Sequence, residues 1–182
     1  MKAVWLAALV STCSLSLQAG EPLVLSARGE IQVAFTPGDD AGALVVDAIR
    51  QAKRQVLVQA YSFTHKDIAE ALVAAKRRGV EVSVIADRRQ AETLQTSLVA
   101  WLAQQGVPVW IDGDHAAAHN KVIVIDGNTP QAILITGSYN FTHAAQYRNA
   151  ENLLVLKGNP LVAQAYAANW RRHLTHSLKL PQ

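Results

Sequence analysis

Cysteine is all but missing from this chain. There is one in 182 residues, Cys13, and it falls in a stretch built like a cleavable leader. Lys2 is followed by an apolar run from Ala3 to Val10 and then by small residues through Ala19 and Gly20. That pattern reads as a secretory signal peptide over residues 1–19. Ser11, Thr12, Ser14, Ser16 and Gln18 interrupt the run and argue against a retained membrane anchor. The exported chain, periplasmic or secreted, would then hold no thiol, so no disulfide could staple it and packing must supply its stability.

Strong charge of one sign is also lacking. Seventeen Lys and Arg against fourteen Asp and Glu give +3, and removing Lys2 with the leader lowers this to +2 (16 against 14), too mild a bias to prove a polyanionic partner. The basic groups are clustered instead: Lys53-Arg54, Lys76-Arg77-Arg78, Arg88-Arg89 and Arg171-Arg172. The triplet stands just before Gly79, where cations favour a helix end. Aromatic residues make up only 6%, and Tyr61, Phe63, Trp101, Trp110 and Trp170 are assigned to the core rather than to base stacking. The apolar runs 122–125 and 132–135 are far too short to cross a membrane. With no linker, repeat or low-complexity tract, residues 20–182 are expected to form a single domain.

The hydrophobic periodicity alternates. Strand-like segments at 30–35, 55–63, 80–87 and 107–110 are separated by helical spacing over 41–52, after "THKD" to Gly79, and over 91–105. Thr64, three residues before Asp67, has the spacing of a capping box. "HNKVIVID" and "QAILIT" flank the turn-forming "GNTP" and predict a hairpin. A strand at 151–156 and a helix from Pro160 to about His176 complete an α/β fold, a mixed β-sheet flanked by helices on both faces.

Residues two apart in a strand face the same way. His119 and Lys121 are therefore expected to project together, with Ile123 and Ile125 anchoring the strand and Asp126 supporting the turn. The return strand ends in "TGSYNFT", where Gly137 permits close backbone approach and Ser138 and Asn140 again stand two apart. Hairpin pairing should bring His119, Lys121, Ser138 and Asn140 together. An imidazole, an ammonium, a hydroxyl and an amide suit a phosphoryl group in transfer. Glu151 could hold His119 in one tautomer.

These residues resemble a known family. "HNKVIVID" fits the H-x-K-x-x-x-x-D signature of the phospholipase D superfamily, and "GSYN" fits the G-S-x-N element that follows it there, with Glu151 as the family's glutamate. "AYSFTHKDIAEALVAAKRRGVEVSVIAD" looks like the matching stretch of the superfamily's short bacterial nucleases. One departure is the ten-residue interval, 127–136, between Asp126 and Gly137; a longer hairpin absorbs it at small entropic cost.

The resemblance implies a phosphodiesterase needing no cofactor and no metal. His119 would attack phosphorus to give a phosphohistidine, Lys121 and Asn140 would hold the non-bridging oxygens with Ser138 in support, and Glu151 would orient His119. Such chemistry needs a second histidine, yet no second H-x-K exists: His65 directly precedes Lys66, and His176 lies three before Lys179. A homodimer with its two-fold axis through the site is the expected answer.

Three functions follow as expectations. The first is a non-specific endonuclease on DNA, with RNA a second substrate; the others are a phospholipase D acting on phosphatidylcholine head groups and a non-catalytic nucleic-acid-binding module. His115 and His119 stand four apart, a helical metal-ligand spacing, but Asp112, Gly113 and Asp114 argue a loop, so no zinc site is expected there. His65, His143, His173 and His176 are read as ordinary polar positions, with His143 and Arg148 near the border of the site.

Overall fold

The Val, Ile and Leu residues that alternate through the second half sort themselves onto two faces of one sheet. The computed structural model describes residues 22–181; the expected leader, 1–19, lies outside the described residues. The elements in order are β1 (Glu30–Thr36), α1 (Ala41–Gln51), β2 (Gln55–Ala60), α2 (Lys66–Arg77), β3 (Glu81–Asp87), α3 (Arg88–Thr93), α4 (Val99–Gln104) and β4 (Val109–Asp112). There follow β5 (Lys121–Ile125), β6 (Ile133–Gly137), α5 (His143–Tyr147), β7 (Glu151–Lys157), α6 (Pro160–Leu174) and β8 (Leu178–Lys179).

The eight strands run in the order β1-β7-β6-β5-β2-β3-β4-β8. The α/β half contributes the parallel ladder β2-β3-β4, and the second half contributes the antiparallel run β5-β6-β7. Ile123 and Ile125 face a core shared with Val45 and Ile49 of α1 and Ile68 and Leu72 of α2. Val122, Val124 and Leu134 face the other way, onto Ala163, Ala167 and Trp170 of α6. The Trp170 indole N–H donates to the Val58 carbonyl at 2.9 Å, which satisfies its one polar group in the core. Burial at 0–1% for Ile123 and Ile125 makes either one worth about 2–5 kcal/mol against truncation to alanine.

Three local expectations change. The helix expected over 91–105 is two short helices. Asp87 caps the first by accepting from the Gln90 amide at 2.8 Å, which starts it early, and Leu94 turns out of it while the Leu98 amide donates to the Phe63 carbonyl. Thr64 is not the cap of α2; His65 stands there without a side-chain cap bond. The strand expected to Phe63 ends at Ala60, and β8 and α5 carry too few residues to have a readable period.

The pairing directions place the ends of β1, β2, β3, β4 and β6 and the starts of β5 and β7 along one edge of the sheet. In α/β sheets that edge is where ligands bind, because the loops there are free to vary while the strands hold them rigidly.

Candidate active site

β5 begins at Lys121, not at His119. His119 and Asn120 precede it in extended chain, and the Asn120 carbonyl accepts from the Tyr61 amide at 2.9 Å. The two functional side chains still converge: Lys121 Nζ lies 3.0 Å from His119 Nδ1 and 3.0 Å from the His119 carbonyl. Tyr61 closes the group. Its ring centroid is 4.2 Å from that of His119, and the ammonium of Lys121 sits 4.8 Å from the same phenol ring. A cation over an aromatic face is attracted by the ring quadrupole, so one ring steadies both groups. Tyr61, assigned to the core from its sequence context, is a half-buried wall of the site.

Lys121 is only 6% exposed. Burial pushes its ammonium down to about 8, with the Glu151 carboxylate working against the shift. Glu151 accepts from Asn149 Nδ2 at 3.0 Å; the group on His119 Nδ1 is Lys121 rather than the expected glutamate.

Register brings the return strand alongside. Val122 pairs with Thr136, so Gly137 and Ser138 reach the start of β5. Gly137 cannot carry a side chain, since a Cβ there would collide with the Asn152 carbonyl. Ser138 Oγ accepts from the Asn152 amide at 3.0 Å and from its Nδ2 at 3.2 Å, leaving its hydroxyl proton for another acceptor. Asn140 Oδ1 is buried with no partner among the described residues, an uncommon state for a buried acceptor. Tyr139 and Phe141 pack beneath at full burial. A cleft of about 440 Å³ opens over Asn140, lined also by Ser62, Gln90, Thr142, His143 and Arg148. It adjoins Tyr61 because Gln90 donates to the Tyr61 hydroxyl at 3.2 Å and accepts from Ser62 at 2.6 Å.

Asp126 is not part of this gathering. It ends β5 at the opposite edge, where its carboxylate accepts from the Lys53, Arg54 and Gln55 amides at 2.8 Å each. It adopts a positive φ of 49°, tolerated by aspartate better than by most residues. The supporting role at the turn is therefore physical, a clamp on the start of β2.

Two features lay beyond sequence reading. Of the basic clusters, Arg88-Arg89 and Arg171-Arg172 fall at the site edge, after β3 and at the end of α6, whereas Lys53-Arg54 and Lys76-Arg77-Arg78 fall at the other. His173 and His176, read as ordinary polar positions, converge with His115 on Asp112. Burial alone would raise the Asp112 carboxyl, but His173, His115, the Asp114 amide and His176 together hold it well below the usual carboxylate range.

Comparison with known proteins agrees with this geometry. Residues 45–173 match the family model described as cardiolipin synthase, PLD-like domain. A phospholipase D of Rickettsia prowazekii is 36% identical over 150 residues, covering 82% of this chain and 70% of that protein. A mitochondrial cardiolipin hydrolase of Chlamydomonas reinhardtii is 33% identical over 118 residues, 65% of this chain and 51% of the other. Among solved structures, Nuc of Salmonella typhimurium, a phospholipase D family member, superposes with a TM-score of 0.79 at 36% identity, covering 85% of this chain and all of that one. The chain belongs to the phospholipase D superfamily and is a hydrolase of the phosphodiesterase type.

Proposed function

We propose that the chain is a non-specific endonuclease that hydrolyses DNA, and RNA by the same chemistry, through a phosphohistidine in a homodimeric site. The observation that carries this is the His119–Lys121 pair, held at 3.0 Å against the Tyr61 ring. While Lys121 is charged its ammonium donates to His119 Nδ1, so the ring proton resides on Nε2. A phosphodiester that draws the ammonium onto a non-bridging oxygen releases Nδ1. Exchange through solvent then leaves the ring proton on Nδ1, where Glu151, turned from Asn149, accepts it as a hydrogen bond, and Nε2 is free to attack. The Nε2–phosphorus bond forms as the phosphorus–oxygen bond to the leaving strand breaks, and that oxygen takes a proton from His119 of the partner subunit. The partner's His119 then takes a proton from water, whose oxygen displaces His119 from phosphorus. Lys121 and the Asn140 amide hold the non-bridging oxygens, and Ser138 supports them.

The homodimer reading is supported by β1. This edge strand exposes Ile31, Val33 and Phe35 on one face at 50–62%, and Phe35 pairs with Asn152, the residue that holds Ser138. An apolar stripe on an open edge invites a second copy, and this stripe ends beside the site, as a shared active centre requires. Polymer substrate is favoured by Arg148 in the cleft and by Arg88 and Arg89 in a second hollow at the same edge of the sheet, since cations spaced along a surface follow a phosphate backbone.

A lipid phosphodiesterase is the second reading, favoured by the names of the Rickettsia and Chlamydomonas relatives. Purified protein incubated separately with supercoiled plasmid, single-stranded RNA and vesicles of phosphatidylcholine with cardiolipin decides between them. Salt-sensitive nicking with silent vesicles is expected; head-group release with intact plasmid overturns the nuclease reading in favour of the lipase. Binding of plasmid without turnover of any substrate would leave the non-catalytic module. Sedimentation at working concentration should give a dimer, and an active monomer would remove the shared site.

A further inference from the structure

Asp112 is completely buried at the end of β4, and its Oδ2 is approached by three imidazole nitrogens: His173 Nδ1 at 2.9 Å, His115 Nδ1 at 3.2 Å and His176 Nε2 at 3.3 Å. The three rings stand almost equally spaced, with centroids 5.0, 5.2 and 5.3 Å apart. One candidate ligand atom from each of the four residues lies within 4.8 Å of all the others. We propose that these residues form a binding site for one Zn²⁺ ion per chain, coordinated tetrahedrally by Asp112, His115, His173 and His176.

The chemistry fits the donor set. Zinc takes imidazole nitrogen and carboxylate oxygen at about 2.0–2.1 Å in tetrahedral array, which sets neighbouring ligand atoms about 3.3 Å apart. Two of the Asp112–His distances, 3.2 Å to His115 and 3.3 Å to His176, already have that value, and the 2.9 Å to His173 is a hydrogen-bond length that must open slightly. The wider His–His separations close by rotation of His115 and His176, whose side chains are 46% and 29% exposed. Without a cation, His173 and His176 share Oδ2, while His115 Nδ1 stands 3.2 Å from both carboxylate oxygens and Oδ1 also accepts from the Asp114 amide, so three imidazoles crowd onto one side chain. With Zn²⁺ at the centre, each ring presents a lone pair and the carboxylate is neutralised. The ligands come from three places, the end of β4, the loop after it and the last turn of α6 with its exit, so the site exists only in the folded chain.

Its position gives it a task. The chain from Asp112 to His119 crosses the ends of β3 and β2: the Ala118 amide is held by Asp87 Oδ2 at 2.9 Å, and Asn120 by the Tyr61 amide. Zinc on Asp112 and His115 fixes the start of that segment to α6, and the segment delivers His119. The ion is a staple for the loop and takes no part in the phosphoryl-transfer steps proposed above.

The test uses the full purified chain, stripped with chelator and dialysed, then titrated with ZnCl2. Expected are one Zn²⁺ per chain by elemental analysis and calorimetry, and a Tm rise of roughly 5–10 °C at a hundred-fold excess over Kd. Co²⁺ should give the visible absorption of a tetrahedral site, and the amides of 115–119 should exchange more slowly with metal bound. His115→Ala, chosen because its side chain is half-exposed, should keep the fold by circular dichroism yet lose the Tm rise and weaken binding at least about 100-fold, since each lost ligand or its support costs 10–100-fold or more. His119→Ala should bind zinc unchanged even though it is inactive, which separates this site from the catalytic reading. Substoichiometric binding, unaltered binding by His115→Ala, or Co²⁺ without tetrahedral bands overturns the proposal.

Discussion

At its far end β5 closes on Asp126, whose carboxylate oxygens are taken up by three backbone amides; at its near end it opens on His119 and Lys121, which hold each other and little else. One eight-residue motif spans both ends. The difference teaches that a signature can join a structural residue to reactive ones. The far end is satisfied by backbone that cannot leave, whereas the near end is satisfied by side chains that can turn to a ligand. Asn140 stands at that same edge, its side-chain oxygen without a partner among the described residues.

The sharpest way to break that comparison is His119→Ala. We expect turnover to fall by at least about 1,000-fold with Tm nearly unchanged, read by plasmid nicking beside a thermal melt; residual activity near wild type would move the nucleophile elsewhere. Lys121→Met removes one charged donor and should cost about 100–1,000-fold in turnover, while stability holds or rises because a buried ammonium is gone. The pH profile comes next. Burial lowers Lys121 to about 8, so its ammonium is present below that pH and lost above it, and kcat/KM should decline up to tenfold per pH unit beyond about 8. Glu151→Gln, by removing the charge that favours the ammonium, should move this limb to lower pH. A rate that stays level to pH 10 would strip Lys121 of its role.

Asp126→Asn tests the other end. It weakens amide bonds to a charged acceptor and should cost at least about 2 kcal/mol of stability by denaturant titration, with kcat measured well below the melt changed by no more than a few-fold. If kcat collapsed while stability held, Asp126 would belong with the reactive end after all. The smallest effect is expected for Tyr61→Phe, which loses only the bond to Gln90 and keeps the ring beneath His119; about 0.5–1.5 kcal/mol of stability is the scale of one such bond, and activity should stay within a few-fold.

Much of this was legible because local rules sufficed. Alternation at 121–125 assigned Ile123 and Ile125 to anchor the strand in the core, as the sheet has them, and the "GNTP" turn fixed which strands are neighbours. The near-end residues were legible for the same reason, since hairpin pairing alone brings Gly137 and Ser138 to Lys121. What was not legible depends on three elements meeting. Tyr61 reaches His119 only because β2 lies beside β5. The break between α3 and α4 is imposed by the distant Phe63 carbonyl. His173 and His176 meet Asp112 only because α6 crosses the sheet and stops at the end of β4, a distance of 61 residues in sequence for the first pair and one that no period records.

Asp87 has a consequence for anyone rebuilding this edge. Its Oδ1 accepts from the Gln90 amide at the start of α3, and its Oδ2 accepts from Ala118 in the segment leading to His119. A single carboxylate thus serves as the hinge pin between the helix whose Gln90 borders the cleft and the loop that carries the reactive imidazole. Neither piece is a free module for grafting: a transplanted α3 without a carboxylate at position 87, or a shortened 113–118 loop, would unseat the segment that delivers His119. Chimeras should therefore exchange residues 87–120 as one cassette.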